Sequence, residues 1–390
     1  MTLSDLAAEA ARQYKIIYGH PPRWIVAAPG RVNVIGEHTD YNDGFVLPMA
    51  IERYVVMAAD LGADGGVSVY DVEFKQTARI DVSQPVTKGE PKWSNYLRGV
   101  MAGFQRRGEK IPGLAVVLLS TVPLGGGLSS SAALEVCTAT LLEAATGKKM
   151  DPVEKALLAQ QAEHEFAGVP CGIMDQFISV MGRAGHLLLL DCRTRKTELV
   201  PMSDPAVELL IVNTNVKHEL GSGEYAKRRA ECEAAARLLG VPSLRDATAA
   251  QLEASRGKMD AVVYRRARHV IGEIERTVHA AEGIRASNWT GVGQLMYASH
   301  ASLRDDYEVS CSELDAVVEI AAGLGLAGGV YGCRMTGGGF GGCAVALIKA
   351  ELVADISKKI ATAYQAKTGR AATLFSSRPA TGAAILQGGD

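Results

Sequence analysis

Residues Ala28 to Pro48, APGRVNVIGEHTDYNDGFVLP, constrain the fold more than any other stretch of this chain. Val32, Val34 and Ile35 are apolar and bracket Asn33, the pattern of a buried strand. The same stretch carries Arg31, Glu37, His38, Asp40 and Asp43, and Glu52 lies just beyond. Burying charge is costly unless it is paired. The fold must therefore close a polar cluster around this strand end. Its mix of donors and acceptors suits a polyhydroxylated small molecule.

The chain has 390 residues, enough for two domains and a substantial core. Hydrophobic residues make up 47% and charged residues 22%, the profile of an ordinary globular protein. The net charge of -2 argues against nucleic acid or an acidic membrane surface as partner. The opening MTLSDLAAEAARQYK reads as an amphipathic helix with Ser4 as its cap, without the basic flank and apolar stretch of a signal peptide. Two uncharged runs, Ile320 to Cys333 and Met335 to Ile348, are too short and too glycine-rich to span a membrane. Seven dispersed cysteines without a CxxC pair fit reduced thiols and a cytoplasmic location. The sequon Asn288-Trp289-Thr290 is read as chance in that setting.

No internal repeat or low-complexity linker divides the chain. Strands are expected at Trp24–Ala27, Tyr54–Asp60, Leu114–Ser120 and His186–Asp191. Helices are expected from Ser130 to Ala145, closed by Gly147, and from Asp151-Pro152 through Glu163 to about Gly168. The second half is richer in helix. A strand at Val207–Thr214 precedes helices at Ser222–Leu239, Val262–Glu282, Gly293–Val309 and Ser312–Leu324. Cys343–Lys349 and Ala372–Ser376 then read as strands around a helix near Glu351–Thr368. The pattern predicts two α+β domains, 1–200 and 201–390.

Val122 to Glu135, VPLGGGLSSSAALE, joins an apolar strand to a helix. Gly125, Gly126 and Gly127 let backbone approach a ligand. The helix N-terminus beyond them offers free N–H groups and a positive dipole end. Ser129, Ser130 and Ser131 add hydroxyls that cap the helix or reach a metal ion. Phosphates fit such a cradle; a tight turn with serine caps is the alternative. No GxxxxGK followed by Ser or Thr occurs, so the loop is not a Walker A. Gly337 to Gly342 satisfies GxGxxG, but the following CAVALIK is strand-like, against a dinucleotide fingerprint. That segment reads as a loop packed on a ligand or on the first glycine loop, with a glycine-rich β-hairpin turn as the plain alternative.

Glu163 and Asp175 form a third cluster. Phosphoryl transfer from ATP needs Mg²⁺ on the phosphates, positive charge near the transferred group and an oriented hydroxyl. Glu163 with Ser131 suits Mg²⁺, Asp175 suits a base, and Arg31 suits stabilisation of developing charge. The plain alternative for Asp175 is a cap on Phe177 or Ile178. His164 and Glu165 read as a solvated helix face, and Cys171 as a small buried residue.

These segments, in this order, resemble the GHMP kinase superfamily, and within it most closely the galactokinase family. GRVNVIGEHTDYNDGFVLP (Gly30–Pro48) is similar to the family's sugar signature, and VPLGGGLSSSAALEV (Val122–Val136) to the ATP loop. GIMDQF (Gly172–Phe177), RMTGGGFGGC (Arg334–Cys343) and NTNVKHELGSGEYAKRR (Asn213–Arg229) match further blocks. The resemblance implies an α+β, two-domain GHMP kinase fold with its active site between the domains. It implies ATP-dependent phosphorylation of the C1 hydroxyl of α-D-galactose. Asp175 is then the base and Arg31 its partner near the γ-phosphate. Glu37, His38, Thr39, Asp40, Gly172 and Tyr225 bind the sugar. Gly125, Gly126, Gly127, Leu128, Ser129, Ser130 and Ser131 hold ATP, with Ser131 and Glu163 at Mg²⁺. The expected partners are galactose and ATP alone, bound by a monomer. A kinase for N-acetylgalactosamine or arabinose is the nearest alternative. A non-catalytic regulator that binds galactose and ATP is another.

Overall fold

The computed structural model describes residues 1–216 and 222–388, with the side chains of Ser222 and Tyr225 outside the described part. The strands are β1 (Trp24–Asn33), β2 (Phe45–Val46), β3 (Pro48–Leu61), β4 (Val67–Asp71), β5 (Gln76–Ile80), β6 (Leu114–Ser120), β7 (His186–Asp191), β8 (Thr197–Pro201), β9 (Val207–Asn213), β10 (Val330–Thr336), β11 (Cys343–Lys349), β12 (Thr373–Ser377) and β13 (Ala384–Gln387). The helices are α1 (Leu3–Tyr18), α2 (Ser94–Arg106), α3 (Ser130–Thr146), α4 (Pro152–Ala162), α5 (Met174–Met181), α6 (Ser222–Leu239), α7 (Ala249–Ala254), α8 (Ala261–Arg285), α9 (Trp289–Asp305), α10 (Ser312–Leu324) and α11 (Val353–Thr368).

Three sheets result. The first runs β13-β1-β3-β6-β4-β5, the second β10-β11-β9-β12 and the third β2-β7-β8. Only the β4–β6 pair is parallel among the described residues. Every residue of β1 is buried. Its register against β3 breaks between Pro29 and Arg31, where proline has no N–H to give a ladder. Helix α3 packs across β1 and β3, so the residues that open α3 meet the end of β1.

Alternation organises the second sheet. Leu209 and Ile211 join the large core that also holds the first sheet and α3. Leu210 and Val212 face the other way, into a core with α8 and α10. A third cluster lies under α1 and α5. Among the described residues no helix is long and apolar enough to cross a membrane.

Most local signals translate directly. Asp151 caps α4 by accepting from Val153 N at 2.9 Å, and Gly147 closes α3 in a left-handed conformation. Two expectations are corrected. The cap of α1 is Thr2, not Ser4. Thr2 and Asp5 bond reciprocally, Thr2 N to Asp5 Oδ2 at 2.9 Å and Asp5 N to Thr2 Oγ1 at 3.2 Å, a capping box that Ser4 cannot close. The helix begun at Pro152 does not run on to Gly168 as one α-helix. It stops at Ala162, and Glu163–Ala167 form a π-helical turn. Gly168 N reaches Glu163 O at 2.9 Å, a five-residue bond permitted by the positive φ of Gly168. Such wide turns cluster at functional positions.

Helix α9 seats on β10 through bare backbone. A Cβ placed on Gly293 would lie 2.0 Å from Tyr331 O. Gly293→Ala should therefore push α9 off β10 and lower stability by about 2 kcal/mol. A drop in the urea midpoint at unchanged slope is the expected readout.

Candidate active site

Arg31 leaves the end of β1 as a buried cation and meets Asp175, near the start of α5, in a two-pronged pair. Nε lies 2.7 Å from Oδ1 and Nη2 lies 2.8 Å from Oδ2. Burial works against the guanidinium charge, but Asp175, together with Glu37 and Asp40, outweighs it and the pKa is raised. Asp175 is partly open, with 22% of its side chain exposed. It does not cap α5, which has no side-chain cap bond.

The glycine loop grips this pair. Arg31 N donates to Leu128 O at 3.0 Å, Arg31 Nη1 donates to Gly127 O at 2.5 Å, and the Ser129 hydroxyl donates to Asp175 Oδ2. Gly30 makes the approach possible, since a Cβ there would stand 2.7 Å from Leu128 O. Gly125 and Gly127 both take positive φ. The second glycine loop packs on the first, as its composition implied. A Cβ on Gly337 or Gly342 would lie 3.1 Å from Gly127 O or 3.0 Å from Gly126 O. Ser130 and Ser131 open α3. The loop and the helix N-terminus together make a concave, positive surface for a phosphate chain.

Glu163 is 5% exposed. Gln176 Nε2 donates to Glu163 Oε2 at 2.7 Å and to Glu135 Oε2 at 3.1 Å. Burial, then Asp175, push the Glu163 carboxyl up to about 6, while Ser131 bonds to it and lowers it. Glu135 Oε1 and Gln176 Oε1 are buried with no hydrogen-bond donor among the described residues. One carboxylate, one hydroxyl and two spare buried oxygens fit a hard cation whose remaining ligands are water and phosphate. No three-ligand His, Cys, Asp or Glu cluster exists among the described residues, so the protein alone is a poor cage for a metal.

Beside Ser130 and Ser131 opens a cavity of about 190 Å³ lined by Phe74, Trp93, Tyr96, Leu118, Leu124 and Leu134. Its aromatic, apolar walls suit a flat heteroaromatic ring. Sequence reading missed it, because its walls come from β4, α2, β6 and α3 with no shared motif.

The Gly36–Asp40 loop forms the other wall. Asp40 lies against Gly172, where a Cβ would stand 1.6 Å from Asp40 Oδ2. Burial, then Asp175 and Glu37, push its carboxyl up to about 7. His38 takes φ 62, bonds Tyr41 Oη through Nδ1 at 2.8 Å and lies 4.8 Å from the Tyr307 ring. Burial, then His269 and Arg228, bring it down to about 3, so it is neutral at pH 7.

Glu37 and Thr39 are turned inward. Glu37 accepts from Gly337 N at 2.7 Å, Asn33 Nδ2 at 2.8 Å and Thr336 Oγ1 at 3.0 Å, with Arg334 Nη1 at 3.3 Å. The Thr39 hydroxyl donates within its own loop, lying 2.7 Å from Phe45 O and 2.9 Å from Gly36 O. Two residues outside the expected set hold this loop. Glu273 Oε1 accepts from Gly36 N at 3.0 Å, and Arg334 Nη1 donates to Asn33 O at 3.1 Å. Asp43 points to Arg193 at 3.5 Å, and Glu52 is exposed on β3. Neither joins the cluster. Tyr225 lies outside the described side chains.

Known proteins give the context. Residues 12–61 match the galactokinase galactose-binding signature, 95–183 the GHMP kinase N-terminal domain and 280–366 the GHMP kinase C-terminal domain. The chain is 48% identical to the galactokinase of Homo sapiens over 98% of its own length and 97% of the relative's. It is 47% identical to that of Canis lupus familiaris with the same coverage. The crystal structure of Lactococcus lactis galactokinase complexed with galactose superposes with a TM-score of 0.92 at 33% identity, covering 98% of this chain and all of that one. A mevalonate kinase at 18% identity, TM-score 0.64, covering 91% of this chain and 98% of its own, shares the fold.

The Asp40 carboxyl, raised from an ordinary 3.8 to about 7, binds its proton more tightly in the folded state. Its contribution to stability is thus fully present below pH 4 and lost as pH rises to about 7. Asp40→Asn should raise the melting temperature of the ligand-free protein more at pH 8 than at pH 5. An equal shift at both pH values would show that Asp40 does not titrate there.

Proposed function

The chain belongs to the galactokinase family of GHMP kinases, and from that premise we propose how its residues carry the reaction. The reaction is transfer of the γ-phosphoryl group of ATP to the C1 hydroxyl of α-D-galactose, the first committed step of galactose use by the Leloir pathway. The single observation that carries the proposal is the Arg31–Asp175 pair, held by the glycine loop on one side and facing the Gly36–Asp40 wall on the other.

The phosphates lie in the cradle made by the glycine loop and the N-terminus of α3, with the adenine in the cavity beside Trp93 and Tyr96. Asp40, His38, Gly172 and Tyr225 meet the sugar hydroxyls. The high-pKa Asp40 offers a donor or an acceptor to a hydroxyl, and neutral His38 adds no charge to the pocket. Glu37 reaches the sugar with whatever acceptor capacity its four protein partners leave. Thr39 acts by holding the loop, since its hydroxyl is already used. Asp175 takes the C1 hydroxyl proton or fixes that hydroxyl in line with the γ-phosphorus. Arg31, always charged, stabilises the charge that develops on the transferred group.

Ser131 and Glu163 are the residues that would hold Mg²⁺, with Glu135 and Gln176 accepting from its water shell. The ion supplies neutralisation of phosphate charge when bound. The free thiols support a reducing, cytoplasmic setting, and a monomer is the simplest assembly for a site built from one chain. The proposed division into domains 1–200 and 201–390 places sugar and ATP contacts mostly in the first. Strand β13 then returns from the second to pair with β1.

Three measurements test this reading. ADP release over a panel of galactose, N-acetylgalactosamine, arabinose and glucose should require galactose. Turnover with another sugar alone would overturn the substrate assignment. Asp175→Asn should lower kcat about 100-fold or more while ATP still binds. Arg31→Lys should lower kcat more than it raises KM for galactose. Weakened sugar binding at an unchanged kcat would move Arg31 out of the chemistry.

A further inference from the structure

We infer that Ser129 is a positioning residue for Asp175 and not a member of the phosphate cradle. The inference rests on the reading of Asp175 as the group that meets the C1 hydroxyl. Ser129 sits at the N-cap of α3 with φ 60 and ψ 47, the left-handed region, and makes no side-chain cap bond. Both facts run against local preference. An N-cap serine normally keeps extended backbone and accepts from the first turn. A residue with a Cβ in the left-handed region is strained by about 1 kcal/mol or more, and glycine relieves it. Glycine already stands at positive φ nearby, at Gly125 and Gly127. At position 129 the chain keeps a side chain and gives up both preferences for one contact, the hydroxyl on Asp175 Oδ2.

That contact decides which carboxylate oxygen works. Among the described residues Oδ2 accepts from Ser129 Oγ and from Arg31 Nη2, whereas Oδ1 accepts only from Arg31 Nε. A carboxylate oxygen has two acceptor directions. Oδ2 is therefore filled and Oδ1 keeps one direction open. Oδ1 is then the atom that accepts the C1 hydroxyl proton as the new oxygen–phosphorus bond forms and the bond from the γ-phosphorus to the β-bridging oxygen breaks. Ser129 donates a hydrogen bond throughout and loses no proton. Gly127 O and Leu128 O hold Arg31 in the same way. Three consecutive loop residues thus brace the catalytic pair, which leaves Gly125, Gly126, Ser130 and Ser131 to face the phosphates.

Ser129→Gly separates this role from a structural one, because glycine adopts the backbone angle freely. The full-length variant should be at least as stable to urea as the parent. Its kcat should fall about tenfold or more, the scale of a lost hydrogen bond to a charged group. KM for ATP and for galactose should stay within about twofold. In an Asp175→Asn background Ser129→Gly should change turnover little further, since the two act as one unit. An unchanged kcat overturns the assignment, as does a rise in KM for ATP at constant kcat, or full additivity with Asp175→Asn. Loss of turnover in Asp175→Asn without loss in Ser129→Gly overturns Ser129 alone. Near-normal turnover in Asp175→Asn removes the reading of Asp175 and this assignment with it.

Discussion

The structure turns on one ion pair, a buried arginine against a half-buried aspartate. Arg31 and Asp175 come from a strand end and a helix start that are far apart in sequence, and they meet through two parallel hydrogen bonds. Leaving one such partner alone in a protein interior costs about 3–5 kcal/mol. The pair therefore fixes how β1, the glycine loop and α5 close on one another. Charge that would be a liability in an inert core is here placed where phosphoryl transfer needs it. Arg31 cannot lose its proton, so the site keeps its positive group at any physiological pH.

Around that pair the walls differ in electrostatic character. On the nucleotide side, glycine backbone, helix N–H groups and serine hydroxyls offer donors. On the sugar side, Glu37, Asp40 and their neighbours are acidic and desolvated. Burial first, and then crowding of carboxylates, raises Asp40 and Glu163. The two walls meet at Asp175, which contributes to raising both. Ligands that bring positive or hydrogen-bonding groups relieve this repulsion.

The residues proposed to touch ligand were legible because they break local rules. Charge at the end of a buried strand and three glycines before a helix have few inert explanations. The residues that hold those residues were not legible. Glu273 lies within the 25-residue helix α8 and reads as one polar position on an amphipathic surface. Only the tertiary fold shows it fully buried and accepting from Gly36 N. Arg334 opens a recognisable glycine block, yet its full burial against Asn33 and Glu37 depends on how β10 meets the sugar loop. Glu37 reads as a ligand group, and the fold adds a second task that the sequence hides: most of its acceptor capacity ties β1 to β10. The π-helical turn at Glu163 left no sequence signal, since the residues around it are ordinary helix formers.

Strand β13 carries a consequence for how the molecule comes into being. It pairs with β1, the strand that delivers Arg31, through Ile25, Val26 and Ala27. Nearly the whole chain separates these neighbours. During synthesis β1 must wait, one edge bare, while everything between is translated, and an unpaired strand edge invites wrong partners. The first sheet is completed only after residues 384 to 387 have left the ribosome. The first sheet is thus not an autonomous early product, and the strand bearing Arg31 gains one of its two neighbours long after it has itself been made.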